Sequence, residues 1–330
     1  MKKIAIIGSG SWGVALAIHL AKIGHEVKIW SFLQEEADLI NNEKKCKFLP
    51  EVNLPNGIKC YTSFEDVIVD ADFILQVTPS KFTRNIVNQY KSLVDPVKQP
   101  IIICSKGIEQ ATELTLDEVI KQEIPNARVG ALSGPSHAEE VSIGIPTVLV
   151  IASNDEELKK EIQDSFMNET IRIYTSTDVK GVELGGALKN IIAFCAGIAA
   201  SLGCGDNTFA ALITRGLVEI RKLGVALGGE KDTFYGLSGL GDLMVTCLSE
   251  HSRNRRAGFL IGQGKSIEET KKEVGMTIES IDNIEVAYKL SKDKGVELPI
   301  LNAVYDVLYN GLKPKEAVDI LMTRDRKDED

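Results

Sequence analysis

Residues 2–13 read KKIAIIGSGSWG, and this stretch decides the fold. Its apolar, β-branched first half predicts a short strand, and the small and apolar spacing of residues 14–22 predicts a helix with a buried face. Strand, glycine turn and helix in this order make the pattern G-x-G-x-x-G, which binds dinucleotides. The bare pattern also fits a flexible glycine loop, but the flanking strand and helix favour nucleotide binding. We therefore predict half of a Rossmann fold at the N-terminus.

The three glycines of this turn have separate steric roles. Gly8 permits the tight turn, Gly10 lets the backbone approach a pyrophosphate, and Gly13 lets helix and strand pack closely. The N–H groups at the start of the helix, with the positive end of its dipole, then face the phosphates. These glycines are the first predicted cofactor-binding residues.

Length and charge limit what the rest of the chain can be. The 330 residues exceed what one hydrophobic core usually supports, so two domains are expected. With 38 basic and 47 acidic residues the net charge is −9, which argues against nucleic acid or an anionic membrane surface as a partner. The longest small-apolar segment, residues 191–202, is shorter than the roughly 20 residues that span a bilayer, so no membrane insertion is expected.

The six cysteines indicate a reducing compartment. They form no C-x-x-C pair and no spacing typical of metal ligands, and several lie in apolar runs, where cysteine behaves as a small buried hydrophobe. We therefore predict reduced thiols, a cytoplasmic protein and no metal site.

Apolar runs separated by helical patterns predict a doubly wound, mostly parallel α/β sheet. After the first strand, the predicted strands are residues 26–30, 71–77, 100–104, 127–132, 147–152 and 171–175. From about residue 177 helical periodicity dominates, and the predicted helices are residues 186–202, 208–227, 267–274, 281–294, 300–309 and 314–321. The sequence thus predicts a Rossmann domain over residues 1–180 and an all-α domain over 181–330, docked without a flexible linker.

Four loops that follow predicted strands directly carry Gly, Pro, Ser or Lys, around Gly10, Pro79, Lys106 and Gly134. In an open parallel sheet, ligands bind beyond the carboxyl ends of the strands. We therefore expect the four loops to line one crevice, although each taken singly could be an ordinary turn.

The tip of the second strand leaves the choice between NAD and NADP open. NAD-specific Rossmann domains often carry an acidic residue about 20 positions past the glycines, where it binds a ribose hydroxyl. Residues 30–34 read WSFLQ, with neither an acid at the tip nor an arginine for a 2′-phosphate. We therefore expect both cofactors to be accepted, with less than roughly a hundredfold preference.

Three stretches of the helical half differ from simple packing patterns. Lys189 lies in the otherwise apolar ELGGALKN (183–190), where burial is unfavourable unless the ammonium group has a partner or a role; a lysine snorkelling at the helix edge is the alternative. Asp242 ends the glycine-dense GLSGLGD (236–242) and could be a reactive carboxylate or only a helix N-cap. Residues 252–256, SRNRR, form a basic cluster suited to a phosphate, and a solvated charge run is the alternative.

These motifs occur together with several others along the chain. They are GSGSWG (8–13), SKG (105–107), SGPSHAEEV (133–141), ELGGALKN (183–190), GLSGLGDL (236–243), HSRNRR (251–256) and MTIES (276–280). In this combination the sequence closely resembles the bacterial-type NAD(P)-dependent glycerol-3-phosphate dehydrogenases, from Ile4 to about Leu321. The resemblance implies the interconversion of dihydroxyacetone phosphate and sn-glycerol 3-phosphate with NAD(H), NADP(H) or both, supplying phospholipid synthesis. It also implies a homodimer.

The resemblance assigns roles to residues at matching positions, and it makes Lys189 the general acid/base. The substrate positions that it implies are Lys106, Gly134, Ser136, Lys189, Asp242, Ser252, Arg253 and Asn254. The cofactor positions are Gly8, Gly10, Ser11, Trp12, Gly13, Phe32, Lys106, Ala138, Arg253, Thr277 and Glu279. Two residues depart from the family's pattern: Phe32 stands where many members carry a polar or basic residue, and Thr277 where valine is frequent.

The chemistry of ketone reduction agrees with these roles. A cationic lysine can stabilise the developing alkoxide and then donate its proton, while Arg253 and Asn254 can hold a phosphate by charge-assisted bonds. Two other functions remain as alternatives. A 2-hydroxy acid or hydroxyacyl dehydrogenase would share the glycine turn but is expected to lack SRNRR. A non-catalytic nucleotide sensor would have no reason to combine Lys106, Lys189 and Asp242.

Overall fold

A sheet of eight strands occupies the N-terminal half of the computed structural model, which describes residues 1–326, 328 and 329. The strands are β1 Lys3–Ile7, β2 Glu26–Trp30, β3 Lys59–Tyr61, β4 Phe73–Gln76, β5 Ile101–Ile103, β6 Val129–Ser133, β7 Thr147–Ala152 and β8 Ile171–Ser176. They lie in the order β3-β2-β1-β4-β5-β6-β7-β8. The first six follow the Rossmann order, and their pairs are all parallel. β7 runs antiparallel to β6 and parallel to β8.

Successive residues of β1 enter two different cores, as the period of two in a strand requires. Ile4 and Ile6 pack with the helices at 11–22 and 156–166 on one face, whereas Ala5 and Ile7 pack with the helices at 83–90 and 116–123 on the other. Because both faces are covered, the strand is apolar along its length rather than alternating. The helices of this half are α1 Ser11–Lys22, α2 Gln34–Asp38, α3 Glu65–Ile68, α4 Thr83–Tyr90, α5 Leu116–Glu123, α6 Ala138–Ile143 and α7 Glu156–Phe166.

Helices alone form the second half in the described residues, around a separate apolar core. They are α8 Val179–Ser201, α9 Asp206–Ala226, α10 Asp242–Leu248, α11 Arg253–Gly262, α12 Ile267–Val274, α13 Glu279–Asp293, α14 Pro299–Tyr309 and α15 Pro314–Met322. Short 3₁₀ and π-helical turns complete the chain, at Leu39–Glu43, Ser80–Phe82, Lys91–Leu93, Lys231–Tyr235 and Leu237–Gly241. The predicted fold class, a mostly parallel Rossmann sheet followed by a helical half, is confirmed.

The central helix α8 crosses α11 with the two backbones in contact. A Cβ at Gly197 would overlap the carbonyl oxygen of Arg255, and a Cβ at Gly258 would overlap that of Phe194. Larger side chains would therefore force the helices apart. The crossing brings the N-terminal end of α11 beside the middle of α8.

Glu183 of α8 joins the two halves of the chain. Its buried carboxylate accepts hydrogen bonds from the N–H groups of Leu116 and Asp117, at 3.1 and 3.3 Å, at the start of α5. Carboxylates are favoured at helix N-termini, where N–H groups lack partners within the helix. Burial, and then the nearby Asp117, raise the pKa of Glu183.

Three features differ from the sequence-based expectations. β3 was not predicted, because three residues are too few to show a periodicity. α8 begins at Val179 rather than near Gly186, so the predicted boundary at 180/181 lies in its first turn, and the boundary itself stays a prediction. At 23 residues with a mean hydropathy of 1.4, α8 is long and apolar enough to span a bilayer, but 83% of its most apolar window is buried inside the protein. A helix that is apolar all round is expected in a core as well.

Candidate active site

A cleft of about 980 Å³ lies between the sheet and the helical half. One wall consists of the loops that follow β1, β4 and β5, together with the start of α6. The other wall comes from α8, α10, the start of α11 and residues 271–282. Beneath the cleft the strand order reverses between β1 and β4, which is where open α/β sheets bind ligands. Of the predicted crevice residues, Gly10, Pro79 and Lys106 line this cleft.

The glycine turn fits the pyrophosphate of a dinucleotide. A Cβ at Gly13 would overlap the carbonyl oxygen of Gly8, so only glycine fits at this position in the first turn of α1. Gly10, in contrast, faces open space in the cleft, where its backbone is accessible to a ligand. The indole Nε1 of Trp12 is buried without a hydrogen-bond partner in the described residues, and Trp12 lines the cleft. Ser11 and Trp12 open α1, so their N–H groups are free of partners within the helix.

Two lysines and an aspartate meet at the centre of the cleft. The Nζ atom of Lys189 lies 2.9 Å from Oδ1 of Asp242, and Nζ of Lys106 lies 2.6 Å from Oδ2 of the same carboxylate. Lys189 also donates to Oγ1 of Thr246 at 2.6 Å, and Lys106 to the carbonyl oxygen of Gly134 at 3.0 Å. Each ammonium group carries three N–H donors, so one donor of each lysine remains for a ligand.

Burial sets the protonation of this cluster. Lys189 is only 5% exposed and Asp242 only 2%, so neither snorkels to solvent. Burial lowers the pKa of Lys189 to about 8, with Asp242 opposing the shift and Lys106 adding to it. Burial alone would raise the pKa of Asp242, but the two lysines outweigh it and keep that pKa below its usual value. With both lysines protonated the cluster carries one net positive charge, and it faces a cleft suited to an anion.

The position of Asp242 decides between its two interpretations. The N-cap of α10 is Gly241, and Asp242 is the first helical residue, directly after the π-helical turn Leu237–Gly241. Its carboxylate binds the two lysines instead of capping the helix. The interpretation as a simple N-cap is therefore wrong.

The SRNRR stretch is the start of α11 rather than a loose charge run. Ser252 is the N-cap, and its hydroxyl oxygen accepts a hydrogen bond from the N–H of Arg255 at 3.2 Å. Arg253 is exposed to the cleft and has no ion pair within the described part of the chain. Asn254 donates one N–H to Asn190 at 2.9 Å, which leaves its second N–H for a ligand.

All but one of the remaining predicted site residues line the cleft. Ser136, Ala138, Phe32, Thr277 and Glu279 line the cleft with those already described. Gly134 does not: it packs against β7 and presents its carbonyl oxygen to Lys106 and, at 2.9 Å, to the hydroxyl of Ser136.

Glu279 connects the helical half to the loop after β4. Its carboxylate accepts hydrogen bonds from the N–H and the hydroxyl of Ser80, at 3.2 and 2.5 Å. Burial raises the pKa of Glu279, and the Ser80 bonds oppose this. The two walls of the cleft are thus in direct contact at Glu279 and Ser80.

Sequence reasoning missed several cleft residues. Thr246 binds Lys189, and nothing in its sequence context marked it. His137 carries a buried Nε2 without a partner in the described residues, and burial followed by the charge of Lys189 lowers its pKa. Glu36 lines the cleft beside the glycine turn, held by the hydroxyls of Ser9 and Ser31. Glu36 lies in α2, beyond residues 30–34 at the strand tip, so the pattern of an acid at the tip does not reveal it.

Comparison with known proteins shows the family of the chain. A family model of the NAD-dependent glycerol-3-phosphate dehydrogenase N-terminus matches residues 3–159, and the model of the C-terminus of the same family matches residues 178–319. The chain belongs to the NAD-dependent glycerol-3-phosphate dehydrogenase family. It is therefore an NAD(P)-dependent oxidoreductase, as the sequence resemblance implied.

Individual relatives extend over the whole chain. A glycerol-3-phosphate dehydrogenase (NAD(P)+) of Fusobacterium nucleatum is 50% identical and covers 99% of this chain and 98% of its own length. One of Clostridium perfringens is 46% identical, with 100% of both chains covered. The crystal structure of glycerol-3-phosphate dehydrogenase from Coxiella burnetii is 36% identical and superposes with a TM-score of 0.94, covering 98% of this chain and 99% of that one.

Proposed function

We propose that Lys189 is the proton donor and acceptor in the reaction that this chain catalyses, the interconversion of dihydroxyacetone phosphate and sn-glycerol 3-phosphate with NAD(H) or NADP(H). The observation that carries the proposal is the Lys189–Asp242–Lys106 cluster, which lies in the same cleft as the glycine turn and Arg253. A dinucleotide-binding turn alone would fit many functions.

Lys189 is suited to move a proton in both directions. When bound, the nicotinamide cofactor supplies or accepts the hydride. The alkoxide that develops on the substrate needs a positive charge and then a proton, and the third N–H of Lys189 can provide both. A pKa of about 8 keeps Lys189 mostly protonated near neutral pH, yet allows it to act as a base in the reverse reaction.

Asp242 and Thr246 hold this proton in place. Their oxygen atoms take two of the three N–H groups of Lys189, at 2.9 and 2.6 Å, so the third has a fixed direction. Asp242 also holds Lys106, which adds a second positive charge near the reacting oxygen. The groups are oriented before the substrate arrives, which is the main source of electrostatic catalysis.

Arg253 supplies the means to select a phosphorylated substrate. A guanidinium group without an ion pair in the described residues, beside the hydroxyl of the N-cap Ser252, can bind a phosphate by charge-assisted hydrogen bonds. A substrate of three carbons offers few other groups for recognition. The neighbouring Ser252 and Asn254 add neutral donors.

The test compares dihydroxyacetone phosphate with dihydroxyacetone as oxidants of NADH, followed by the loss of nicotinamide absorbance. Rapid turnover of the phosphorylated ketone and little of the other is expected. A 2-hydroxy acid or hydroxyacyl dehydrogenase would instead reduce its own ketone and ignore both compounds. NADH binding without any turnover would favour a nucleotide sensor and contradict the proposal.

Three further expectations accompany this function. Supply of glycerol 3-phosphate for phospholipid synthesis and a homodimeric state follow from the family resemblance. A cytoplasmic location is supported by the six free cysteines, which suit a reducing compartment. Light scattering of the purified protein tests the dimer, and cell fractionation tests the location.

A further inference from the structure

A half-buried carboxylate stands at the glycine end of the cleft, away from the lysine cluster. Glu36, in α2, accepts hydrogen bonds at its Oε2 atom from the hydroxyl of Ser9 at 2.5 Å and from the hydroxyl of Ser31 at 2.9 Å. Ser9 belongs to the glycine turn, and Ser31 follows β2 directly. The three side chains thus tie the ends of two neighbouring strands to α2.

The two serines fix the direction of the carboxylate. Both are buried, Ser9 at 7% and Ser31 at 0% exposure, and their oxygen atoms lie 2.8 Å apart. Ser31 also accepts a hydrogen bond from the N–H of Leu33 at 3.2 Å, which leaves its hydroxyl proton to donate to Glu36 or Ser9. Both bonds end on Oε2, and within the described residues Oε1 takes no hydrogen bond. A pre-oriented acceptor is therefore free at the cleft surface.

The lysines of the same segment, Lys44, Lys45 and Lys47, do not line the cleft beside Glu36. Between positions 30 and 48, the residues that line the cleft are Trp30, Phe32, Leu33, Glu36 and Phe48, one carboxylate among four apolar side chains. In a Rossmann fold, the ribose nearest the adenine lies past the end of β2, and an acidic residue about 20 positions beyond the glycines binds its hydroxyl. Glu36 lies in this region, although on a helix rather than at the strand tip.

We propose that Glu36 selects NAD(H) over NADP(H). A carboxylate accepts hydrogen bonds from the 2′-hydroxyl of NAD, whereas the 2′-phosphate of NADP offers no donor when ionised and carries the same sign of charge. This inference rests on the proposed function in one respect, that a dinucleotide occupies the cleft. It replaces the expectation of a weak preference drawn from residues 30–34.

The test measures equilibrium binding rather than turnover. NADH and NADPH are each titrated against the quenching of the intrinsic fluorescence of Trp12 and Trp30, both of which line the cleft. We expect the parent protein to bind NADH at least ~100-fold more tightly, since a charge-assisted bond is lost and a repulsion is gained. Glu36→Gln should reduce this ratio by at least ~10-fold, mainly by tightening NADPH binding.

Glu35→Gln is the matched control, because Glu35 is the exposed neighbour in the same helix and does not line the cleft. The ratio of its affinities for NADH and NADPH should equal that of the parent protein. A parent ratio within a few-fold of one, or an unchanged ratio in Glu36→Gln, would overturn the proposal. Equal changes in both variants would also overturn it, because they would reflect net charge alone.

A second measurement covers the case in which Glu36→Gln does not fold. AMP and adenosine 2′,5′-bisphosphate are compared as competitors of NADH on the parent protein, and AMP should compete more strongly. Equal or stronger competition by the bisphosphate contradicts the proposal. If the parent binds neither NADH nor NADPH, the proposed function itself has failed; if it binds both equally, only the role of Glu36 has failed.

Discussion

Replacing Lys189 with methionine tests the proton donor directly. Methionine keeps most of the apolar stem of the buried lysine but removes the ammonium group that contacts Asp242 and Thr246. Asp242 remains paired with Lys106 at 2.6 Å, so its charge is not left isolated. The net charge of the cluster falls from one positive charge to zero, and the glycine turn is not altered.

The size of the effect follows from what Lys189 supplies. A positioned general acid contributes at least ~10²-fold to the rate, and about 1.36 kcal/mol of barrier corresponds to each factor of ten. We therefore expect kcat for dihydroxyacetone phosphate reduction to fall at least ~10²-fold, or about 2.7 kcal/mol. NADH binding, which we assign mainly to the glycine turn and Glu36, should change little.

Two measurements make this prediction specific. Steady-state turnover is measured from the nicotinamide absorbance, and NADH binding is measured by fluorescence titration of the same preparation. Lys180→Met serves as the control, because Lys180 lies on the same helix but pairs with Glu118 at 2.7 Å on the surface and does not line the cleft. Normal NADH binding with a rate within a few-fold of the parent would show that the proton comes from elsewhere. Lys106 would be the next candidate.

Three further outcomes are expected. Arg253→Ala should weaken capture of dihydroxyacetone phosphate by about 1.5–3 kcal/mol in kcat/KM while hardly changing dihydroxyacetone, whereas Arg256→Ala, on the same helix but outside the cleft lining, should affect neither. Because ketone reduction needs the ammonium form of Lys189 and alcohol oxidation the neutral form, kcat/KM should fall with rising pH through about 8 for reduction and rise through the same pH for oxidation; a profile flat in both directions would contradict this. Gly258→Ala should lower the free energy of unfolding by about 1–3 kcal/mol through overpacking of α8 against α11, and Gly205→Ala, where a Cβ meets nothing within 4 Å, should cost less; denaturant titration compares the two.

Local patterns predicted the fold well, because they record which residues face a core. The run KKIAII followed by GSGSWG predicted β1 and the start of α1, and the continuous apolar runs predicted a sheet covered on both faces. The ends of the helices and strands were harder to predict. Residues 179–185 contain two glycines, which argue against a helix, yet they form the first turns of α8, where Glu183 gains two backbone N–H partners from α5.

The site could be predicted only where the residue type itself indicated chemistry. Lys189 and Asp242 were conspicuous because a charge within an apolar or glycine-rich stretch needs a reason. Thr246 and Glu36 were not, because a threonine in a helix and a glutamate in an acidic stretch are ordinary in sequence. Their importance comes from contacts with residues distant in the chain, and such contacts exist only after folding.

The glycine contact between α8 and α11 has a consequence for substrate range. One helix carries Lys189, the proposed proton donor, and the other carries Arg253, and the two backbones are in direct contact at Gly197 and Gly258. The separation between the backbones that carry Lys189 and Arg253 is therefore set by the main chain, and rotamer changes at the crossing cannot adjust it. The crossing therefore holds the two helices at a fixed distance from each other. A phosphorylated ketone with one more carbon between its carbonyl and its phosphate would require a whole helix to shift, so accepting longer substrates calls for a new helix register rather than a wider pocket.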